Sequence, residues 1–315
     1  MAIFTLLVSC AKKNEPARAE YVLGTLCTVN LFEDGTDTLY DALFSRLRQL
    51  DDNFSTTNPK SFVSAVNAAA GKHPVFVGKD VFTVLKKALE IAELTDGAFD
   101  PTIGPLVTLW GINTEHTHVP SQAELSKVLP LIDYKKIILN EHNTTAFLSS
   151  ENMALDLGGI AKGYAADELV KILRSHAVKR AIIDLGGNVY VFGKKIDGKP
   201  WNVGIKNPEA PSGEPLLALR IPENSVVTSG VYERFFEQNG IRYHHILSGK
   251  TGFPVQNGLR SVTVISASSM TADALSTGCF VLGKEKGLAL AEWLGVDAIF
   301  IDDSITMTQE LMKSF

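Results

Sequence analysis

The stretch Asp156–Leu169, "DLGGIAKGYAADEL", places a carboxylate, two adjacent glycines and Lys162 at the mouth of an amphipathic run. Glycine lets backbone approach a ligand closely, and a helix N-terminus presents free N–H groups with a positive dipole end. Together with Lys162 this predicts an anion site fit for a pyrophosphate. A strand-to-helix turn that needs glycine for packing explains the same residues, and both readings stand. The sequence is no Walker loop, since GxxxxGK[ST] is absent.

Working outward, the run from Ile160 to Ser175 reads as a helix followed by strands at 180–184 and Val189–Phe192. Further strands are expected at 135–139, 144–149, 215–221, 225–229, 242–247, 261–266 and 298–301, with helices at 121–129, 270–282 and 284–294. Upstream, Tyr21–Phe32 reads as one strand with a bulge or close approach at Gly24. Leu39–Leu50 reads as an amphipathic helix, and Asp80 as the cap of the next, which Gly97 stops. Pro101, Gly104 and Pro105 predict a loop. Strands and helices mix without strict βαβ alternation, which predicts an α/β or α+β fold with mixed sheets. "DLGG" recurs at 184, and a two-lobed body over residues 20–315 with a site between the lobes suits the layout.

The chain has 315 residues, 45% hydrophobic and 21% charged, enough for a full core. Its net charge of −5 and lack of a Lys/Arg cluster argue against a nucleic-acid partner. Residues 1–19 run from an apolar core (Ala2–Val8) through Ser9 and Cys10 into a polar stretch. That pattern predicts a bacterial lipoprotein signal with lipid on Cys10, a spacer, and anchorage to the inner membrane facing the periplasm; a short apolar strand is the alternative. Cys27 and Cys279 are expected to be separate buried thiols.

Three further stretches carry chemistry. In "SMTADALSTGCFVLG" (269–283), Asp273 and Thr277 lie four apart and share a helix face, supplying hard oxygens of the kind Mg²⁺ takes. A first-turn acid favouring the helix dipole explains Asp273 equally. In "TDGAFDPTIGPL" (95–106), Phe99 suits stacking on a flat ring and Asp100 suits accepting ring N–H groups, and a turn-rich loop explains the composition equally well. In 226–255, His244 and His245 precede a Gly/Lys/Thr/Gly turn, where a histidine suits a general base or ligand contact; on a strand at most one faces a given cleft, and a hydrogen-bonded sheet histidine is the alternative for either.

The order of these motifs resembles one family, the FAD:protein FMN transferases, formerly called thiamine-biosynthesis lipoproteins. The resemblance rests on Gly24-Thr25, "FST" (54–56) with Ser61 and Asn67, "DGAFDPTIGPL", "DLGGIAKGYAAD", "DLGGN", "TSGVYER", "HHIL" with "KTG", and "TADALST". It implies a two-lobed fold with FAD in a central cleft, and Mg²⁺-dependent (or Mn²⁺-dependent) transfer of FMN to a threonine in a Ser/Thr-Gly-Ala-Thr-like motif of redox proteins, with release of AMP. It also implies Asp273, Thr277 and the backbone carbonyl near Gly159 as metal ligands. Ala98, Phe99, Asp100, Asp156, Lys162 and Ile246 would contact FAD, and Asp273 or His245 would deprotonate the acceptor. Hydrolysis of FAD to FMN and AMP, or flavin binding without turnover, are the competing functions.

Three departures stand out. Where relatives carry Phe/Met-Ser-x-Tyr, this chain has Phe54-Ser55-Thr56-Thr57-Asn58, and an aromatic missing at Thr57 or Asn58 implies a more open pocket that favours hydrolysis. Ser248-Gly249 stands in place of Asp-Pro after His245-Ile246, and Leu23 in place of methionine.

Overall fold

A computed structural model describes residues 17–210 and 214–313; Cys10 and the rest of the expected signal lie outside the described residues. Strands β1 (Arg18–Val22) and β2 (Thr25–Asn30) form a hairpin where a single strand was predicted. Leu23 and Gly24 both take positive φ (55° and 68°), so the chain turns back instead of bulging. Helix α1 (Asp37–Phe54) follows, capped by the Thr36 hydroxyl, with Leu39, Leu43, Leu47 and Leu50 buried on one face. Helix α2 (Phe62–Ala68) is capped by Ser61, and β3 (Val75–Phe76) leads to α3 (Gly78–Leu94).

Asp80 does not cap α3. Val77 occupies the cap position without a side-chain bond, and Asp80 instead binds Arg46 and Tyr164. The predicted loop at 101–105 runs directly into helix α4 (Gly104–Trp110). Pro105 sits in its first turn, where the missing N–H costs nothing. Helix α5 (Gln122–Val128) opens with a Ser121–Glu124 capping box, and β4 (Ile137–Asn140) pairs with β5 (Thr145–Leu148) as expected.

Helix α6 (Ala161–Ser175), β6 (Arg180–Leu185) and β7 (Asn188–Gly193) lead into a ribbon of β8 (Trp201–Lys206) and β9 (Pro215–Ile221). Then come β10 (Asn224–Gly230), a second ribbon of β11 (Phe235–Gln238) and β12 (Ile241–His244), and β13 (Ser261–Ser266). Helices α7 (Ser269–Leu282) and α8 (Lys284–Leu294), strands β14 (Asp297–Ile301) and β15 (Ile305–Met307), and helix α9 (Gln309–Met312) complete the described chain.

The main sheet has eight strands in the order β1-β2-β6-β7-β10-β13-β14-β15, each antiparallel to its neighbours. Alternation along each strand decides which core it feeds. Val227, Val262, Val264, Ala298 and Phe300 point to the helical side, while Val226, Ile265, Ile299 and Ile301 point to the β8–β9 ribbon. Both faces are therefore covered, one by helices and one by a ribbon. Helix α7 lies innermost, with Leu275 and Phe280 fully buried, each contributing about 1.5–3 kcal/mol. No described helix is long and apolar enough to cross a membrane.

Candidate active site

A cavity of about 730 Å³ opens where the loops beside α6, α7, β10 and β12 converge. The turn that leads into α6 forms one wall. Asn67 grips the backbone of Leu155 at both ends, accepting its N–H at 2.7 Å and donating to its carbonyl at 3.1 Å. Asp156 donates its own N–H to the Pro101 carbonyl at 2.9 Å. Its carboxylate then accepts the Gly158 N–H at 2.8 Å, and Lys162 Nζ donates to the Gly158 carbonyl at 3.1 Å.

The glycines divide the two tasks between them. A Cβ on Gly163 would stand 2.3 Å from the Ser269 carbonyl oxygen and 2.7 Å from Asp273 Cβ. Glycine there is a packing requirement that lets α6 lie against α7. Gly158 and Gly159 line the cavity, and a Cβ on Gly159 would stand 3.3 Å from both Thr277 Oγ1 and the Phe99 ring.

Helix α7 supplies the opposite wall. Asp167, on α6, accepts from Ser268 Oγ at 2.9 Å and from the N–H groups of Ser269 and Met270 at 2.7 and 3.1 Å. One helix thus caps the next. Asp273 follows in the second turn, not the first, so the helix-dipole account of it weakens. It is 4% exposed, and its Oδ2 accepts the Gly163 N–H at 2.8 Å. Burial pushes its carboxyl up, opposed by the Lys162 charge, the Gly163 N–H and the Asn188 amide. Thr277 Oγ1 lies 3.2 Å from Ser229 Oγ.

Asp273, Thr277 and Gly159 therefore line one cavity and offer a carboxylate, a hydroxyl and a backbone carbonyl. Among the described residues no three His, Cys, Asp or Glu side chains gather to hold a metal. A hard cation that takes one carboxylate and completes its shell with substrate oxygens fits this donor set.

Ala98, Phe99 and Asp100 line the cavity beside Gly159. Gly278 lets this loop touch α7: a Cβ there would meet Thr95 at 2.8 Å. The Asp100 carboxylate serves its own loop, accepting from the N–H and hydroxyl of Thr102 at 2.8 and 2.6 Å and from the Tyr134 N–H at 3.0 Å. Burial nonetheless pushes its carboxyl up.

Of the two histidines, His244 is structural: its Nε2 donates to the Val255 carbonyl at 2.9 Å and its ring meets Phe280 edge-on. His245 lines the cavity, and its Nδ1 lies 3.2 Å from the Arg234 carbonyl. A carbonyl only accepts, so that nitrogen carries the proton and Nε2 is left as the base. Burial pulls this imidazole down to about 4, so it is neutral at ordinary pH. Ile246 is buried beside it and gives its carbonyl to Val255 at 3.0 Å. Ser248 organises the turn that follows, its hydroxyl accepting the Lys250 and Thr251 N–H groups at 3.3 Å each.

Thr57 and Asn58 do not line the cavity. They follow α1 in a turn organised by Ser55 Oγ, which accepts both of their N–H groups. Cys27 and Cys279 are separate and buried, and burial raises both thiols to about 12. Sequence reasoning passed over Asp167, Asn188, Glu233 and Arg234, although each lies inside a motif it had singled out. Glu233 lines the cavity, and burial pushes its carboxyl up against the opposing charges of Lys162, Arg234 and Lys206.

Comparison with known proteins places this geometry. The ApbE family model matches residues 23–300. The chain is 40% identical over 309 residues to the FAD:protein FMN transferase of Treponema pallidum, covering 92% of this chain and 85% of that protein. To a Klebsiella pneumoniae FAD:protein FMN transferase it is 41% identical over 266 residues, covering 84% and 82%. Among solved structures, the ApbE protein of Thermotoga maritima superposes with a TM-score of 0.87 at 32% identity, over 96% of this chain and 99% of that one. The flavin transferase ApbE of Vibrio cholerae gives 0.86 at 27% identity, over 96% and 100%. By sequence from Leu23 to Phe300 and by fold over nearly its whole length, this chain belongs to the ApbE family.

Proposed function

We propose that the protein is an FAD:protein FMN transferase that uses Mg²⁺, or Mn²⁺, which accepts the same oxygen donors. The observation that carries the reading is the pinned pair of helices. Gly163 fixes Asp273 against the turn that holds Gly158, Gly159 and Lys162, so a carboxylate and an anion-binding turn share one cavity. In the reaction a threonine hydroxyl oxygen of a partner flavoprotein attacks the FMN-side phosphorus of FAD. A new P–O bond forms, the bond to the AMP phosphate breaks, and AMP leaves.

Asp273, Thr277 and the Gly159 carbonyl would hold the cation, whose chemistry is neutralisation of charge on the diphosphate and on departing AMP. Lys162 and the Asp156–Gly159 turn orient the diphosphate. Phe99 and Ile246 supply apolar wall for the flavin or adenine ring. Of the two candidate bases, His245 suits the task better, because its Nε2 holds a free lone pair at neutral pH while Asp273 accepts the Gly163 N–H and faces the cation. Acceptor proteins would present a Ser/Thr-Gly-Ala-Thr-like segment. Lipid on Cys10 would tether the enzyme to the inner membrane facing the periplasm.

The test incubates protein, FAD and Mg²⁺ with and without a peptide bearing Ser-Gly-Ala-Thr, following AMP and peptide-bound flavin together. AMP matched by flavinylated peptide supports transfer. Equal AMP and free FMN without peptide makes hydrolysis the main activity, and no AMP in either arm leaves a flavin-binding protein.

A further inference from the structure

Three hydroxyls run in line from the cavity into the core. Thr277, on α7, lines the cavity, and its Oγ1 lies 3.2 Å from Ser229 Oγ at the end of β10. Ser276, fully buried on α7, lies 2.8 Å from Ser229 Oγ and donates to the Asp273 carbonyl at 2.8 Å. Each hydroxyl has one proton, and a carbonyl only accepts. The Ser276 proton is committed to Asp273, so Ser229 donates to Ser276. With the Ser229 proton spent as well, Thr277 donates to Ser229. The buried end of the chain therefore sets its direction, and the Thr277 proton points toward β10. A helical threonine often turns its hydroxyl back to the carbonyl four residues earlier. For Thr277 that carbonyl belongs to Asp273, and Ser276 donates to it instead.

We propose that Ser229 is a positioning residue: it takes the Thr277 proton and so presents the Thr277 lone pairs to a divalent cation held beside Asp273 and Gly159. This rests on the reading of those three residues as cation ligands. A hydroxyl ladder that only joined α7 to β10 would need no fixed direction. A cation needs one, because a proton on its side of the hydroxyl repels it and hides the lone pair. Gly159 stands close to Thr277 Oγ1, where a Cβ on it would be 3.3 Å away, so the hydroxyl sits between Ser229 and the Gly159 backbone. The support is rigid, since β10 pairs with β13 as far as Gly230. A partner behind a metal ligand fixes that ligand's orientation, and its loss typically costs roughly 10–100-fold in metal affinity.

The test compares wild type with Ser229→Ala, Thr277→Val and the double variant. Mn²⁺ is the probe, its free fraction read by electron paramagnetic resonance with AMP present to complete the shell. FAD affinity in EDTA is read by flavin fluorescence, and thermal unfolding without metal identifies any variant that fails to fold. Ser229→Ala is expected to weaken Mn²⁺ roughly 10–100-fold and to leave FAD binding in EDTA unmoved. The double variant should bind Mn²⁺ no more weakly than Thr277→Val alone, because Ser229 acts through Thr277. Ser276→Ala probes the same chain from its buried end: Ser229 is then free to donate to Thr277, and Mn²⁺ should weaken several-fold. Unchanged Mn²⁺ affinity in folded Ser229→Ala or Ser276→Ala overturns the proposal. Losses that add in the double variant overturn it in favour of an independent contact, and an equal loss of FAD in EDTA overturns it in favour of packing. Wild type that takes up no Mn²⁺, or Thr277→Val that binds it like wild type, overturns the cation reading and this proposal with it. Both of those outcomes are visible without Ser229→Ala.

Discussion

Gly163 carries more structure than any other residue in the turn that opens α6. With no side chain it brings the Ser269 carbonyl within van der Waals reach and hands its N–H to Asp273. Gly163→Ala forces the helices apart, and a loss of about 1–3 kcal/mol is expected, the range for overpacking a tight interface. Urea unfolding measures that loss, and turnover should fall further than stability because Asp273 moves with its helix. From sequence alone the glycine-rich turn fitted either anion binding or packing. No local signal could divide the roles, because the atoms that crowd Gly163 lie a hundred residues downstream. His245 gives a second prediction. Burial holds its imidazole at about 4 instead of 6.5. Between those values the unfolded chain binds a proton that the folded protein refuses, so this group's contribution is intact above about pH 6.5 and is lost as pH falls toward 4. His245→Gln should flatten the fall in Tm between pH 6.5 and 4; an unchanged slope would place the titration elsewhere.

At the scale of elements, the N-terminus of α7 depends on a residue of α6. Asp167 accepts three hydrogen bonds there, and burial pushes its carboxyl up. Asp167→Ala is expected to cost about 2–3 kcal/mol by loss of a cap and of bonds to a charged acceptor. A weaker Mg²⁺ affinity should accompany the loss, readable by titration at a temperature where the variant remains folded. The elements legible in the sequence were those with long apolar periods or side-chain caps, such as α1, α5 and α6. The hairpin at β1–β2 was hidden because Leu23, an ordinary strand former, takes a positive φ next to Gly24. Helix α4 was hidden because Pro105 reads as a breaker unless it falls in a first turn. Ribbon β11–β12 is held by Phe236 stacked on Tyr243 over Trp110, contacts that no local pattern announces.

Across the whole molecule, the helical layer is tied together by charge as well as apolar packing. Arg46 of α1 pairs with Asp80 of α3 and Glu168 of α6, each near 15–17% exposed, and Tyr164 donates to Asp80 at 2.7 Å. Arg46→Met leaves two half-buried carboxylates without their cation. A loss of about 2–3 kcal/mol is expected, below the range for fully buried pairs because water still reaches these groups. Equilibrium denaturation checks it, and a loss under 0.5 kcal/mol (roughly the value of an exposed pair) would show that solvent compensates. The order of the main sheet was not legible. With both faces buried, strands such as 261–266 lose the alternation that assigns a side, and pairing between β2 and β6 spans most of the first half of the chain.

The cavity wall draws on residues from Gly24 to Thr277, and no half of the chain contains it. During synthesis, then, the polypeptide is without its site until α7 has left the ribosome and docked on α6. Equally, a protein cut short before α7 lacks Asp273 and Thr277, and with them one wall of the cavity.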